Sequence, residues 1–233
     1  MHTETLINSK QVFVADDPIL DQVEQTYNEA FPEAERRDFA LVRQLIAEEP
    51  AFQLRVFYRD DVYVGFLSNW QFDGFRYVEH FAIDPAARNG GIGGLVLRLF
   101  LALQEDAVVL EVELPEDDLT RRRVGFYERH GFRLDLQRYI QPPYRVGGPS
   151  LELRLMSYGP LELSQRFAEV RDALYEKVYG VKRFRCGWCG VPASIAGIAF
   201  HRSLSLGRRL RSRWSTSDRS AVAAQSCDTP LSN

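Results

Sequence analysis

Cysteine is nearly absent from this chain. Only three occur in 233 residues and none precedes position 186, so a disulfide framework is excluded and a reducing, cytoplasmic setting is expected. No run of about 18 apolar residues exists, so no membrane-spanning helix and no membrane partner are expected. The opening MHTETLINSKQ lacks the basic-then-apolar order of an export signal. Cys186 and Cys189 form a single C-x-x-C without a second pair, and His201 alone does not complete a site, so no metal is expected. No stretch repeats.

What is present is the composition of a soluble globular protein, 45% hydrophobic and 26% charged. The net charge of −3 hides a division. Residues 181–233 carry nine Lys/Arg and two acids, which leaves 20 basic and 30 acidic residues in 1–180. The expected organisation is a folded domain over 1–157, an amphipathic helix over 158–180 and a basic, Ser/Arg-rich, disordered tail over 181–233. Such a tail can meet phosphates, but the acidic body argues against a nucleic-acid partner.

Two helices are expected in ADDPILDQVEQTYNEAFPEAERRDFALVRQLIAEE, the first capped by Asp17 with Pro18 at its first position. Runs rich in aromatic and β-branched residues between Arg59-Asp60-Asp61 and Asp73-Gly74 predict a three-stranded meander over 51–84. Ile92, Leu95, Val96, Leu99, Phe100 and Leu103 recur at helical spacing. AVVLEVELP reads as a buried strand, EDDLTRRRVGFYERHGFRL as a helix closed by Gly131, and LDLQRYI with SLELRLMSY as a late strand pair. A last amphipathic helix follows, with Ser164 as its expected N-cap. The order implies a mixed α/β fold with helices on both faces of one sheet.

HFAIDPAARNGGIGGLVLRLFLALQ sets four glycines, at 90, 91, 93 and 94, where a helix must begin. Glycine costs a helix about 1 kcal/mol relative to alanine, so the cluster suggests an anion approaching backbone N–H groups. No lysine or hydroxyl residue follows these glycines, which excludes a P-loop, and a dinucleotide fingerprint fails at Val96. The spacing of Arg88, Gly91 and Gly93, R-x-x-G-x-G, resembles the cofactor loop of the GNAT superfamily of acyl-CoA-dependent N-acyltransferases. VGFYERHGF at 124–132 resembles that family's second helix ending. The resemblance covers residues 10–157. It implies a central, mostly antiparallel twisted sheet, acetyl-CoA as cosubstrate, and a small amine or peptide amine as acceptor, in a bacterial branch of unassigned substrate. A homodimer is compatible with it.

Carried onto this chain, the resemblance assigns the cofactor pyrophosphate to Arg88, Asn89, Gly90, Gly91, Ile92, Gly93 and Gly94, and the pantetheine arm to the backbone of Phe81 and Ile83. Tyr127 falls where a tyrosine protonates the departing thiolate; the alternative is a packing role beside Phe126. Period-two alternation places Phe75, Tyr77, Glu79, Phe81 and Ile83 on one strand face and His80 on the other. Burial in that stripe is expected to raise the Glu79 pKa towards that of a general base, a position some family members use; the alternative is a structural glutamate paired with an arginine. His80 reads as a packed histidine. The arginines 121–123 depart from the family's usual helix, and one of them is a candidate for phosphate or an acidic acceptor. Glu35, Arg36, Arg37, Trp70, Tyr139 and Tyr144 fall in the segments that set acceptor specificity. The sequence thus predicts an N-acetyltransferase working by direct transfer in a ternary complex, with a non-catalytic acyl-CoA-binding sensor as the rival.

Overall fold

The computed structural model describes residues 7–88 and 90–181. Asn89, all three cysteines and the basic tail from 182 onward lie outside the described residues. One eight-stranded sheet runs in the order β1-β2-β3-β4-β5-β8-β6, with β7 also paired to β8. The expected meander is β2 (Phe52–Arg59), β3 (Val62–Phe72) and β4 (Phe75–Ile83). Its first turn holds Asp60 and Asp61 at φ of 49° and 62°, the left-handed pair that matches the twist of a two-residue hairpin. β5 (Ala107–Glu113) is the buried strand foreseen from its apolar run, and β8 (Leu151–Tyr158) pairs with it antiparallel.

Two strands, β1 and β6, escaped the sequence reading, and a third is shorter than expected. β1 (Ile7–Val12) is polar and half-exposed because it is an edge strand paired to β2, with Val12 buried in the core. β6 (Arg133–Leu134) is two residues long, and β7 (Tyr139–Gln141) is the three-residue remnant of the longer late strand expected there.

Helices α1 (Ile19–Ala30), α2 (Phe39–Glu48) and α5 (Leu163–Lys177) cover one face. Their Leu20, Val23, Tyr27, Val42, Phe167, Val170 and Leu174 meet Leu54, Val56, Phe66 and Leu155 of the sheet in one core. Helices α3 (Ile92–Ala102) and α4 (Asp118–Arg129) cover the other, with Val96, Leu97, Phe100 and Val124 against Phe57, Leu67, Val108 and Leu110. Each such side chain contributes about 1.5–3 kcal/mol by leaving water. α5 shares its core with α1 and α2. It starts one residue before Ser164, so that hydroxyl is inside the helix and does not cap it. At α1, Pro18 is already helical and the Asp17 carboxylate accepts the Ile19 N–H at 3.1 Å, which is the capping expected of it.

Gly65 crosses β4 so closely that a β-carbon there would lie 2.3 Å from the Ala82 carbonyl oxygen, at a φ of +153°. Backbone cannot yield as a side-chain tip can. Gly65→Ala is therefore expected to lower the unfolding free energy by about 3 kcal/mol, read from urea denaturation; a loss below about 1 kcal/mol would show that β3 and β4 can separate locally.

Candidate active site

The sheet opens between two neighbouring strands. β4 and β5 are parallel, and they pair only from Phe75–Val78 against Ala107–Leu110. Beyond that point β4 runs on to Ile83, held by β3, and β5 to Glu113, held by β8. The two strands therefore diverge, and each leaves one backbone edge free. A cleft of about 610 Å³ occupies the gap, within the usual size of ligand sites. α3 starts just after β4 and α4 just after β5, so both helix N-termini lie at this end of the sheet. Asp117 caps α4 in a reciprocal box with Thr120.

The glycine cluster divides its work. Gly91 is the N-cap of α3 at a φ of 77°, and a β-carbon there would touch nothing within 4 Å. Left-handed backbone, rather than room, demands glycine at that position. Gly94 is needed for a different reason: its β-carbon would stand 2.9 Å from His130 Nε2, where α4 packs against α3. Gly93 faces the cleft, and a β-carbon there would stand 3.6 Å from Ile83 and 3.9 Å from Phe126. Ile92 buries its side chain in the core, leaving only its N–H for a ligand. Arg88 is exposed at the rim, and its Nε donates to the Ile83 carbonyl at 3.1 Å. Phe81 and Ile83 line the cleft on the free edge of β4.

Strict alternation fails on β4. Ser68 pairs with His80 and Asn69 with Val78, so Glu79 has no partner on β3. This bulge re-aims everything after it. Phe81 and Ile83 pack on the α3/α4 side. His80 instead joins Glu79 on the α1/α2/α5 side, edge-on to Tyr27 and Phe31 at 4.8 and 4.7 Å. Its Nε2 donates to the Glu35 carbonyl at 3.1 Å, and burial depresses its pKa, so it is a neutral, packed histidine.

Glu79 is 1% exposed and fully engaged. Arg37 Nε reaches one oxygen at 2.8 Å and Trp70 Nε1 the other at 2.7 Å. Burial alone would push this carboxyl up, but the Arg37 charge, with help from His80 and both hydrogen bonds, outweighs it and holds the carboxyl below its ordinary value. The expected upward shift is overturned because the arginine partner, the alternative weighed above, is present. Arg37 also donates to the Val178 carbonyl at 2.6 Å and stacks on Trp70 and Tyr144, at 5.8 and 4.9 Å.

The other substrate candidates divide accordingly. Glu35 and Tyr144 line the cleft. Burial, then the Glu113 charge, pushes the Glu35 carboxyl up against the pull of Arg123. Trp70 and Tyr139 are 2% and 0% exposed; they support carboxylates from behind and are not surfaces for a substrate. Arg37 is likewise committed to Glu79, and Arg36 does not line the cleft, its Nε buried without a partner. Tyr127 does line it, beside Phe126 and Phe132 at 5.2 and 5.5 Å, and its hydroxyl has no hydrogen-bond partner among the described residues. Burial pushes this phenol up to about 12, so it stays protonated.

Glu111 was missed entirely. It hid as the first of two acids in the apolar run VVLEVE, where its position inside a buried strand was the available signal. Tyr139 donates to it at 2.5 Å, Gln141 at 2.5 Å and Tyr179 at 3.0 Å. Burial nonetheless pushes its carboxyl up to about 7, against these hydrogen bonds and that of Tyr77.

A mixed, mostly antiparallel sheet that opens between two parallel strands beside a helix N-terminus defines an acyltransferase fold, the class expected from the sequence. Residues 50–134 match the family model described as an acetyltransferase (GNAT) domain. Among solved structures, a protein assigned to the GNAT acetyltransferase family from Bacteroides thetaiotaomicron is 36% identical, with a TM-score of 0.73 over 75% of this chain and 99% of that one. The ribosomal-protein-S18-alanine N-acetyltransferase of Escherichia coli is 16% identical, with a TM-score of 0.47 over 66% and 93% of the two chains. No curated protein matches the sequence. The chain belongs to the GNAT family of acetyltransferases.

Glu111 makes stability depend on pH in a predictable direction. The unfolded carboxyl releases its proton near 4.5 and the folded one near 7. Its stabilising contribution is therefore present below about pH 4.5 and is lost as pH rises through about 7, a change of about 3 kcal/mol. Glu111→Gln should flatten the pH dependence of unfolding free energy between about pH 5 and 8. Parallel curves for the two proteins would place the carboxyl in water.

Proposed function

We propose that this acetyltransferase carries an acetyl group from acetyl-CoA directly to a primary amine, both substrates being held in the cleft together. The carrying observation is the open edge of β4 beyond Val78, which ends at a helix N-terminus with Gly93 facing the gap. An extended amide-bearing arm can add to such an edge as a further strand. Free N–H groups at the start of α3 suit phosphate, and Arg88 at the rim adds a cation. Across the cleft, Tyr127 presents a protonated phenol without another partner, fit to protonate a departing thiolate. Glu79 serves as support: its ion pair holds Arg37, which ties the segment after α1 to the end of α5.

The acceptor side favours a cation. Glu29, Glu35, Glu79, Glu111 and Glu113 line the cleft against Arg88 at its rim and Arg123, which pairs with Glu113. An amine arriving as ammonium is attracted there and must lose a proton before attack.

Calorimetric titration with acetyl-CoA tests this reading. Gly93 is helical with ordinary contacts around its absent β-carbon, so Gly93→Val should fold at least as well, yet fill the cleft and lose binding about 100-fold or more. Equal affinity in both proteins would move the donor site elsewhere. In the unaltered cleft, Tyr127→Phe should lower turnover about 100-fold while leaving acetyl-CoA affinity within a few-fold; unchanged turnover removes Tyr127 from the chemistry.

A further inference from the structure

Glu79 and Glu111 are the first residues past the last paired register, Val78 with Leu110, on the two diverging strands. Both line the cleft, and both point to the α1/α2/α5 side, since their partners belong to that core. Their surroundings differ in one respect. Glu79 faces a guanidinium. Glu111 makes no salt bridge among the described residues and is held by neutral donors: Tyr139 and Gln141 from β7 and Tyr179 from the segment after α5, whose hydroxyl also meets that of Tyr77 from β4. Tyr144 and Tyr175, from the β7–β8 loop and α5, complete the titratable groups that feel its charge.

We propose that Glu111, held in this cage of phenols at the parting of the strands, is the proton acceptor for the incoming amine. The inference rests on the acetyl-transfer reading above. Two carboxylates whose surroundings push their protonation apart take different roles. One beside a permanent cation stays ionised and accepts protons poorly. The other, charged but without a counter-cation, gains from neutralisation, and its protonation near neutrality suits a base at working pH.

The step balances as follows. The ammonium gives one proton to a Glu111 carboxylate oxygen, and the freed nitrogen pair forms the C–N bond at the thioester carbon. The C–S bond breaks with its electron pair on sulfur, which takes the Tyr127 proton. Tyr127 recovers a proton from the acylated nitrogen, and Glu111 releases its own to solvent. The net products are the amide, free thiol and one proton.

The full chain is tested for thiol release from acetyl-CoA, with spermidine or a lysine-containing peptide as amine, and with water alone as acceptor. Water has no ammonium to titrate, so the rising limb of turnover against pH then reports the base. The limb is expected near pH 7 in the unaltered enzyme, in line with the carboxyl held near that value. Glu111→Gln should abolish it and lower turnover about 100-fold at pH 7.5, with acetyl-CoA affinity unchanged. Tyr139→Phe removes a donor that favours the ionised form, so it should move the limb to higher pH; this variant keeps the test decisive if Glu111→Gln does not fold. Thiol release that keeps its rate and limb in both variants overturns the role of Glu111 while the acetyl-transfer reading stands. Binding of acetyl-CoA without thiol release marks a sensor and overturns both. Absence of binding overturns the donor site and this inference with it.

Discussion

Two parallel strands cannot stay paired here past Val78 and Leu110, and the rest of the site depends on that separation. Each strand remains anchored on its outer edge, β4 to β3 and β5 to β8, so the sheet stays intact while its middle opens. Among the described residues no strand pairs with these free inner edges, and unpaired backbone groups are costly when buried and useful when a ligand supplies the partners. The bulge at Glu79 falls at the same point. It lets one strand keep an apolar row against α3 and α4 while placing Glu79 and His80 together on the α1/α2/α5 side.

Beyond the split, electrostatics divides the labour. The Glu79–Arg37 pair is buried, and such a pair adds little net stability because both ions lose water. Its value is positional: Arg37 reaches Glu79, the Val178 carbonyl, Trp70 and Tyr144 at once, fastening the chain after α1 and the chain after α5 to one point of the sheet. Glu111, one strand over, has hydrogen bonds in place of a counter-charge. The same residue type thus yields a fixed anion in one place and a titrating group in the other.

Much of the architecture was legible in the sequence because it rests on local rules. The meander followed from aromatic and β-branched runs with aspartate and glycine turns, and α1, α3 and α4 from helical spacing and stop signals. β1 was not legible, since INSKQV has no apolar face and becomes a strand by pairing with β2. Among site residues, Phe81, Ile83, Gly93, Glu35, Glu79, Tyr127 and Tyr144 do line one cleft. Trp70 and Tyr139 were legible as aromatic but not as buried, because depth depends on which helices cover them.

The sequence by itself determined the order of the helices, the meander and β5, the glycine-started helix after β4, the family resemblance and the acidic character of residues 1–180. Those properties reside in spacing, propensity and composition, which need no partner in space. Tertiary structure alone decided that Glu79 meets Arg37 from 42 residues away and that Glu111 meets Tyr179 from 68 residues away. The charge state of a buried carboxyl is set by whatever lies within a few ångströms of it, and here those groups come from segments distant along the chain.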